Sequence, residues 1–564
     1  MWSRSVPLGE VRRLGDCAFL IGVANARAAR ALIEAIEAAP LVGSTDVVGG
    51  LASVMVALDR TSVGPSAMTR CRRYLERLVS EVGPTGGSND PGASTSMPED
   101  IACVFDGPDL FEVAERAGCR VSEVVDRLTA VILTVAVVGF SPGFAYLEGL
   151  PDELASIPRR ARPRPVVPAG SVALAGGHAA VYPSASPGGW QLIGRTSESF
   201  FDPWRPPYAR LAPGDRVRFS AHSTLGTAPA RRDGVARDDD HAQAVFMVEE
   251  PGLRTVRQDG GRRGVARLGV PGAGPADGYA WAVANRLVGN RADAAALEIT
   301  AKGPTLRCLR PTFVAVVGAE PVVTVDGQRV SVGAVMPVVA GQRVEVGVVR
   351  AGLRTYFAVA GGFDGPEVFE SSATDQLCGL GPGPLHSGDV LTCGPLTPPL
   401  GDHVRLAGRD SRLADGARVL RVVPGPHHEH FVDGAFAALR ARRFIVEGDS
   451  NRIGVRLRPL GEPSSLREHG ARGVELDSHG ACTGAVQVPP DGVLVVLGPD
   501  HATLGGYPIV GVVASADLGW LGQCAPGDLV ALEPITFAEA DRAWTRSVAD
   551  LDSAVVGHYP LAVD

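Results

Sequence analysis

The sequence predicts a mainly β protein with α+β parts, and three observations carry that expectation. The first is the stretch 139–196, where glycine and proline recur every few residues between short apolar runs such as 172–174 and 190–193. Glycine supplies positive φ and proline presets turns, so this punctuation suits the short strands of a tightly turning barrel. The second is that the same stretch carries Phe140, Phe144, Tyr146, Tyr182 and Trp190, aromatic surface that a flexible linker of like composition would not hold. The third is an echo. APGDRV (212–217), AGQRVEV (340–346), SGDVL (387–391) and APGDLV (525–530) each read as a glycine turn leading a closing strand. Such turns are common in all-β proteins, so the echo supports repeated barrels without requiring them.

The elements follow in order. Residues 10–58 read as strand, helix, strand, and helical spacing returns over 68–82, which makes 1–82 a small α+β domain. The stretch 83–98 is a linker by composition. A helix pair is expected at 109–118 and 121–129, with Asp109 and Ser122 as N-caps. The barrel that follows extends the second domain over 98–220. Residues 221–246 are polar, charged and aperiodic, which marks a second linker. After it, a strand, a glycine-rich turn and a helix from Asp277 through Leu287 open a domain over 247–395, and a further domain occupies 396–550.

Composition sets bounds. At 564 residues, 45% of them hydrophobic, the chain supports three or four cored domains. No apolar run reaches eighteen residues, and the N-terminus shows no apolar leader segment. Nine cysteines are dispersed without a C-x-x-C pair, which argues for reduced thiols rather than a disulfide frame or a zinc site. The expectation is a cytoplasmic protein with no membrane partner. Net charge is −8 and no basic block alternates with aromatics, so no nucleic-acid partner is expected. Lys302 is the only lysine, so a Walker A loop is absent and any phosphate must be held by arginines and backbone N–H groups.

Several side chains stand out as chemistry, each with a structural alternative. Gln258, Asp259 and Arg262 crowd a glycine-rich turn that suits either a ligand pocket or a salt-bridged turn. Asp277 and Asn285 suit a helix cap and helix packing, or a cleft. Asp500 and Asp517 flank GGYP (505–508) with Tyr507, and Gln523 follows; close backbone approach needs residues without Cβ, and turn caps would use the same groups. Arg195, near Tyr182 and Trp190, could clamp an anion or stack on a ring. HHEH (427–430) lacks the HE-x-x-H spacing of a metal site, and GLGPGP (379–384) is a proline-broken turn rather than a phosphate loop. No metal site is expected.

The motifs GF-x-PGF-x-YL, VPAGSV, VYP-x-x-SPGGW and GRT in 139–196 resemble the B subunit of 5-oxoprolinase, also called allophanate hydrolase subunit 1, a family that includes a kinase-inhibitor subunit of sporulating bacteria. After the linker, T-V-x-QD-x-GR-x-G, AN-x-LVGN, A-LEIT-x-x-GP, SSATD (371–375), NRIGVRL (451–457), PDHATLGGYP (499–508) and SADLGWLGQCAPGD (515–528) resemble the C subunit of the same enzyme, or allophanate hydrolase subunit 2. The resemblance covers 8–220 and 250–545, so the chain looks like the B and C polypeptides fused. It implies cyclophilin-like β-barrels, one in the N-terminal half and two in the C-terminal half. The chain departs from the pattern where the family has a histidine and a tyrosine before GF-x-PGF: Leu128 and Leu133 stand there. Gly260 and Leu504 also replace a usual leucine and threonine.

What the resemblance implies about function is ATP-dependent opening of 5-oxo-L-proline, a cyclic amide, to L-glutamate, together with a separate A subunit. Phosphorylating the oxygen of a resonance-stabilised lactam creates a leaving group that water can displace. Such a site needs cationic donors around a phosphoryl group and a base to orient water. Arg195 and Arg262 are candidates for the first role; Asp259, Asp500 and Asp517 for the second. Phe144, Tyr182, Trp190, Gln258, Asp277, Tyr507 and Gln523 are candidates for substrate binding. ATP with magnesium is the implied cofactor, and the chain shows no covalent biotin site. Arg195 is expected to share a cleft between the halves with Asp500 or Asp517. Two alternatives share the fold: the carboxyltransferase part of a urea carboxylase, served by biotin on another protein, and a regulatory complex of the kinase-inhibitor kind. A homo-oligomer is open.

Overall fold

The structure, a computed structural model, describes residues 4–86, 97–160, 162–226, 243–399, 403–404, 413–414, 416–461 and 476–556. Most of each expected linker lies outside the described residues.

Four antiparallel strands, Val11–Leu14, Ala18–Gly22, Ser44–Gly49 and Ser53–Leu58, form the first sheet. Strand alternation sorts their side chains between two faces. Phe19, Ile21, Val54 and Val56 pack on Leu32, Ile36 and Leu75 of the helices Ala26–Ala38 and Pro65–Val82. Leu14, Leu20 and Met55 join a second core that reaches across to Val423, Cys482, Leu504 and Val512 of the C-terminal half. Ala18–Gly22 is buried along its whole length. Coverage on both faces is why it reads as an unbroken apolar run.

The next sheet has seven strands. Its first and last members, Glu99–Cys103 and Arg216–Ala221, pair in parallel, and a bridge between Val104 and Arg195 closes it into a barrel. Helices Leu110–Arg116 and Val121–Ala130 add Val113, Val124 and Leu128 to the barrel's core. Leu128 and Leu133 are both fully buried there. The expected caps differ in detail. Asp109 makes no cap bond; its carboxylate accepts from Arg160 (2.8 Å), Arg164 (2.7 Å) and the Leu192 N–H (2.7 Å). Arg120, not Ser122, is the N-cap residue of the next helix, and its N–H is held by Glu123 at 2.7 Å.

In the C-terminal half, a six-stranded and a five-stranded sheet enclose a core of Phe246, Leu306, Val314 and Phe357. Helix Gly278–Leu287 covers the five-stranded sheet through Trp281, Val283 and Leu287. An eight-stranded sheet follows, closed by parallel pairing of Ala417–Pro424 with Leu529–Pro534.

The four echoed turns share one conformation. Gly214, Gly341, Gly388 and Gly527 have φ of 98°, 87°, 89° and 90°, the third position of a type II turn. In each, the residue after glycine donates its N–H to the carbonyl of the turn's first residue, and its side chain accepts that residue's N–H. The pairs are Ala212 with Asp215, Val339 with Gln342, His386 with Asp389, and Ala525 with Asp528. Two of the turns lead Arg216–Ala221 and Leu529–Pro534, each paired in parallel with an earlier strand of its barrel. Arg343–Val349 and Val390–Thr392 pair only antiparallel, so the turn specifies a strand start rather than closure.

The halves meet along the second core and at a pair of histidines. Arg12 reaches Pro426 O and Glu429, while Leu51 N–H donates to Ser478 O at 2.9 Å. Behind these contacts the His427 and His479 rings lie 4.7 Å apart, both buried, each with Nε2 unpartnered. Burial, and for His427 the neighbouring His479, holds both below the ordinary histidine value. The folded protein therefore keeps them neutral while the unfolded chain takes protons below about pH 6.5, so stability is lost as pH falls through that point. Urea midpoints are expected to drop between pH 6.5 and 5, and the double substitution His427→Gln/His479→Gln should flatten that slope; equal slopes would refute the assignment. Proteolysis confined to the 221–246 linker is expected to leave the halves co-eluting on size exclusion, since the shared core rather than the tether joins them. Two separate monomeric peaks would contradict this.

Candidate functional site

A cleft of about 1370 Å³ opens where the first sheet, both C-terminal barrels and the last helix, Phe537–Asp552, come together. Thr536 caps that helix in a reciprocal pair with Glu539, and Ala540 and Ala543 are its buried positions. Arg13 stacks over Phe537, Arg60 pairs with Asp541, and Arg286 pairs with Asp552, so the helix is held by both halves. Trp544, Arg546 and Asp550 then fall on the cleft wall.

Eight arginines against four aspartates line the cleft, with Tyr279, Trp281, Trp520 and Trp544 as aromatic surface. Most of the arginines are already matched: Arg263 with Asp59 (2.8 Å), Arg291 with Asp293 (2.7 Å), and Arg421 with Asp517. Arg546 is exposed and has no acidic partner among the described residues. Cys17 also lines the cleft, but burial, reinforced by Asp16, pushes its thiol up to about 12, so it is no nucleophile. An arginine-rich, aromatic-walled cleft of this size suits an anionic ligand with a planar apolar part. Among the described residues no group of three histidine, cysteine or acidic side chains is placed to hold a metal ion. None of their helices is long and apolar enough to cross a membrane.

The floor of the cleft is an ion network. Arg452 forks onto Asp500 through Nε and Nη2, both at 2.8 Å, and donates Nη1 to Glu298 at 2.6 Å and Nη2 to Gly274 O at 2.7 Å. Tyr356 donates to Glu298 at 2.6 Å, and Arg354 pairs with it at 3.4 Å. Burial raises the Glu298 carboxyl, but Arg452 and Arg354 outweigh it and hold Glu298 below the usual range. Gln523 locks the same seam. Its Oε1 accepts from Leu353 N and Arg354 N, and its Nε2 donates to Asp277 Oδ2 and Arg354 O.

The residues singled out from the sequence divide accordingly. Asp517 reaches the cleft wall, but Arg421 occupies its carboxylate, so it is not a free base. Asp500 and Gln523 are structural links behind the floor, and Asp277 caps its helix at Ala280 N (3.2 Å). Gln258, Asp259 and Arg262 are buried around 371–375: Asp259 accepts from Ser371 and Ser372, and Arg262 donates to Val368 O and Ala373 O. Asn285 lines the cleft and donates to Ala294 O, and Tyr507 is half-buried in the turn near His479. Phe144, Tyr182 and Trp190 are 1%, 1% and 5% exposed and stack edge to face, Phe144 on the other two. The rings are ordered as expected, but they fill a core instead of lining a pocket. Arg195 is more than half exposed and pairs with Asp106 of its own barrel. Neither it nor Asp500 lines this cleft, so the cleft expected to join Arg195 with Asp500 or Asp517 is not this one. Arg452 and Glu298 were within quoted motifs but carried no signal of pairing. Trp544 and Arg546, on an ordinary amphipathic helix, gave no signal at all.

Arg452→Met leaves two buried carboxylates facing each other and is expected to cost about 3–5 kcal/mol in urea unfolding. Adding Glu298→Gln and Asp500→Asn should recover most of the loss; a single-variant cost below about 1 kcal/mol would mean the network is not structural.

Comparison with known proteins accounts for both halves. The family described as "Carboxyltransferase domain, subdomain C and D" matches residues 9–211, and "Carboxyltransferase domain, subdomain A and B" matches residues 268–534. The chain is 35% identical to the C subunit of 5-oxoprolinase from Escherichia coli over 301 residues, 52% of this chain and 91% of that protein. It is 33% identical to the B subunit of 5-oxoprolinase from Bacillus subtilis over 230 residues, 37% of this chain and 91% of that one. Urea amidolyase of Lachancea kluyveri matches at 31% over 323 residues, 53% of this chain but 17% of its own length. The crystal structure of TTHA0988 superposes with a TM-score of 0.78 at 33% identity, covering 93% of this chain and all of that one. The chain belongs to the carboxyltransferase-domain family and joins a half like the 5-oxoprolinase B subunit to a half like its C subunit.

Proposed function

We propose that this chain is the B/C component of an ATP-dependent 5-oxoprolinase, which opens 5-oxo-L-proline to L-glutamate with a separate A-type subunit. The observation that carries the reading is the cleft itself, which is walled by both halves and so requires both kinds of polypeptide at once. A lactam resists water because its nitrogen lone pair is delocalised. Converting its oxygen to a phosphate ester makes a leaving group, and the charge that develops needs fixed cations. Arg546 is a wall cation without an acidic partner among the described residues, and Trp520 and Trp544, each with an arginine over its ring, add aromatic surface for a nucleobase. These side chains fit ATP. A magnesium ion would be carried mainly by its phosphates, with Asp550 a wall carboxylate that has no ion pair among the described residues.

The likeness to urea amidolyase favours a second reading, carboxyl transfer to a urea-type nitrogen from biotin held by another protein. The two readings separate on one assay. With an A-type subunit, 5-oxoproline and ATP, the first expects glutamate; no glutamate, with bicarbonate-dependent carboxylation by an added biotin carrier, supports the second. Arg546→Ala is expected to raise KM for ATP about tenfold or more, while Arg195→Ala should leave kcat and KM within about twofold. A large loss in Arg195→Ala with none in Arg546→Ala would move the site to the N-terminal barrel.

A further inference from the structure

The turn between strands Val11–Leu14 and Ala18–Gly22 enters the C-terminal half. Gly15 has a φ of 72°, and a Cβ there would meet Val512 Cγ1 at 2.9 Å, so glycine lets the turn press against the second barrel. The next residue, Asp16, is 1% exposed and accepts the Ser515 N–H at 3.2 Å and its hydroxyl at 2.7 Å. Arg60, in the turn after strand Ser53–Leu58, is 6% exposed and lies against the same carboxylate, with Nε 3.7 Å from Asp16. Its Nη1 donates to Val63 O at 3.2 Å, and its Nη2 pairs with Asp541 of the helix Phe537–Asp552. A buried chain of contacts therefore runs from Ser515 through Asp16 and Arg60 to Asp541, leaving the C-terminal half and returning to it.

The Arg60 guanidinium also lies over the Trp544 ring, 5.9 Å from its centre. Asp541 and Trp544 are three positions apart and share a helix face, so one cation holds both. Trp544 and Arg546, two residues on, are cleft wall. Beyond them, Leu551, Ala554 and Val555 pack into the core beside helix Gly278–Leu287. The helix is thus anchored at its far end by the C-terminal half and at its middle by the N-terminal half.

We propose that Arg60, seated by Asp16, is a positioning residue for the nucleotide: by fixing Trp544 and the adjoining turn with Arg546, the N-terminal half sets how tightly the cleft holds ATP. The inference rests on the nucleotide reading above and adds a control exerted from the other half. Arg60 acts through the wall, since its nitrogens face Asp541, Val63 O and Asp16. Apolar side chains of like volume would join the halves at no greater cost. What the guanidinium adds is direction, because its planar fork fixes the angles at which it meets a carboxylate and a ring. Without it the helix keeps its end anchors, so the fold persists while the wall loses its alignment. That alignment serves bound substrate and transition state alike, so its loss falls on KM and not on kcat.

Titration of the full chain with the fluorescent nucleotide mant-ATP tests this. Arg60→Met and Asp541→Asn are each expected to raise Kd about tenfold or more. Arg72→Ala, which removes an exposed pair with Glu76 in the same half, should bind as the wild type does. In glutamate release with an A-type subunit, KM for ATP should rise by the same factor with kcat within about twofold. The double variant Arg60→Met/Asp541→Leu separates positioning from stability, and it carries the test should a single variant not fold. Replacing the buried pair by apolar side chains is expected to return the urea midpoint to near that of the wild type, yet Kd should stay raised. Unchanged Kd in a folded single variant, or a Kd that recovers with the midpoint in the double variant, would overturn the assignment. Tighter binding by Asp541→Asn would overturn it too, because a freed Arg60 would then meet the ligand itself. No mant-ATP binding by the wild type at millimolar concentration would overturn the nucleotide reading and this assignment together. A raised Kd in the variants, with no glutamate release even from the wild type, would uphold the assignment and count against the reaction alone.

Discussion

Arg452 is the hinge of the architecture, because it is a buried cation placed between carboxylates of different barrels. Asp500 comes from its own barrel and Glu298 from the five-stranded sheet, and Arg452 commits all three guanidinium nitrogens to them and to Gly274 O. Desolvating these charges is expensive, and mutual attraction offsets the cost only when the geometry is complete. Sliding one barrel past the other by a few ångströms would strand at least two charges. The network therefore acts less as a source of net stability than as a register between the barrels. Gln523 reinforces it with four hydrogen bonds across the same seam.

The consequence for the site is a rigid floor with a less rigid wall. Arg354 and Arg452 line the cleft from a locked network, whereas the C-terminal helix is held by ion pairs, two cation–π contacts and two buried alanines. Of its ion pairs, Arg286 with Asp552 is exposed and contributes little, whereas Arg60 is buried against Asp541. The residues best placed to meet a ligand, Trp544 and Arg546, sit on this helix. Beyond the network, the 371–375 loop is bonded through Asp259 and Arg262, and Phe201 and Tyr208 of the N-terminal half pack on the neighbouring Phe369.

The two closed barrels use one solution twice. In each, an early strand pairs in parallel with the last, and a type II turn precedes the last strand. The turn's Asp accepts the N–H two residues before its glycine, which ends the loop and starts the strand in a single step. Docking of the halves depends on something else, the strand Ala18–Gly22, buried on both faces. Its unbroken apolar run has no other use than to be covered from two sides.

By itself, the sequence determined what local chemistry determines: the turns, the strand-rich fold class, the helix cap at Asp277 and the family. Those depend on residues a few positions apart, where glycine φ, proline and side-chain capping act directly. The ring cluster of Phe144, Tyr182 and Trp190 was legible as ordered aromatic surface, but whether it faced a ligand or a core turned on what packed over it. The same holds for Leu128 and Leu133, whose burial only the barrel reveals. Tertiary structure alone decided that Asp500 belongs to Arg452, that Asp517 belongs to Arg421, and that Arg195 stays with Asp106. An arginine's reach covers partners from any part of the chain, and Arg452 and Glu298 are separated by more than a hundred residues. Which carboxylate is neutralised, and so which is left for chemistry, is a property of that long-range pairing and leaves no periodicity to read.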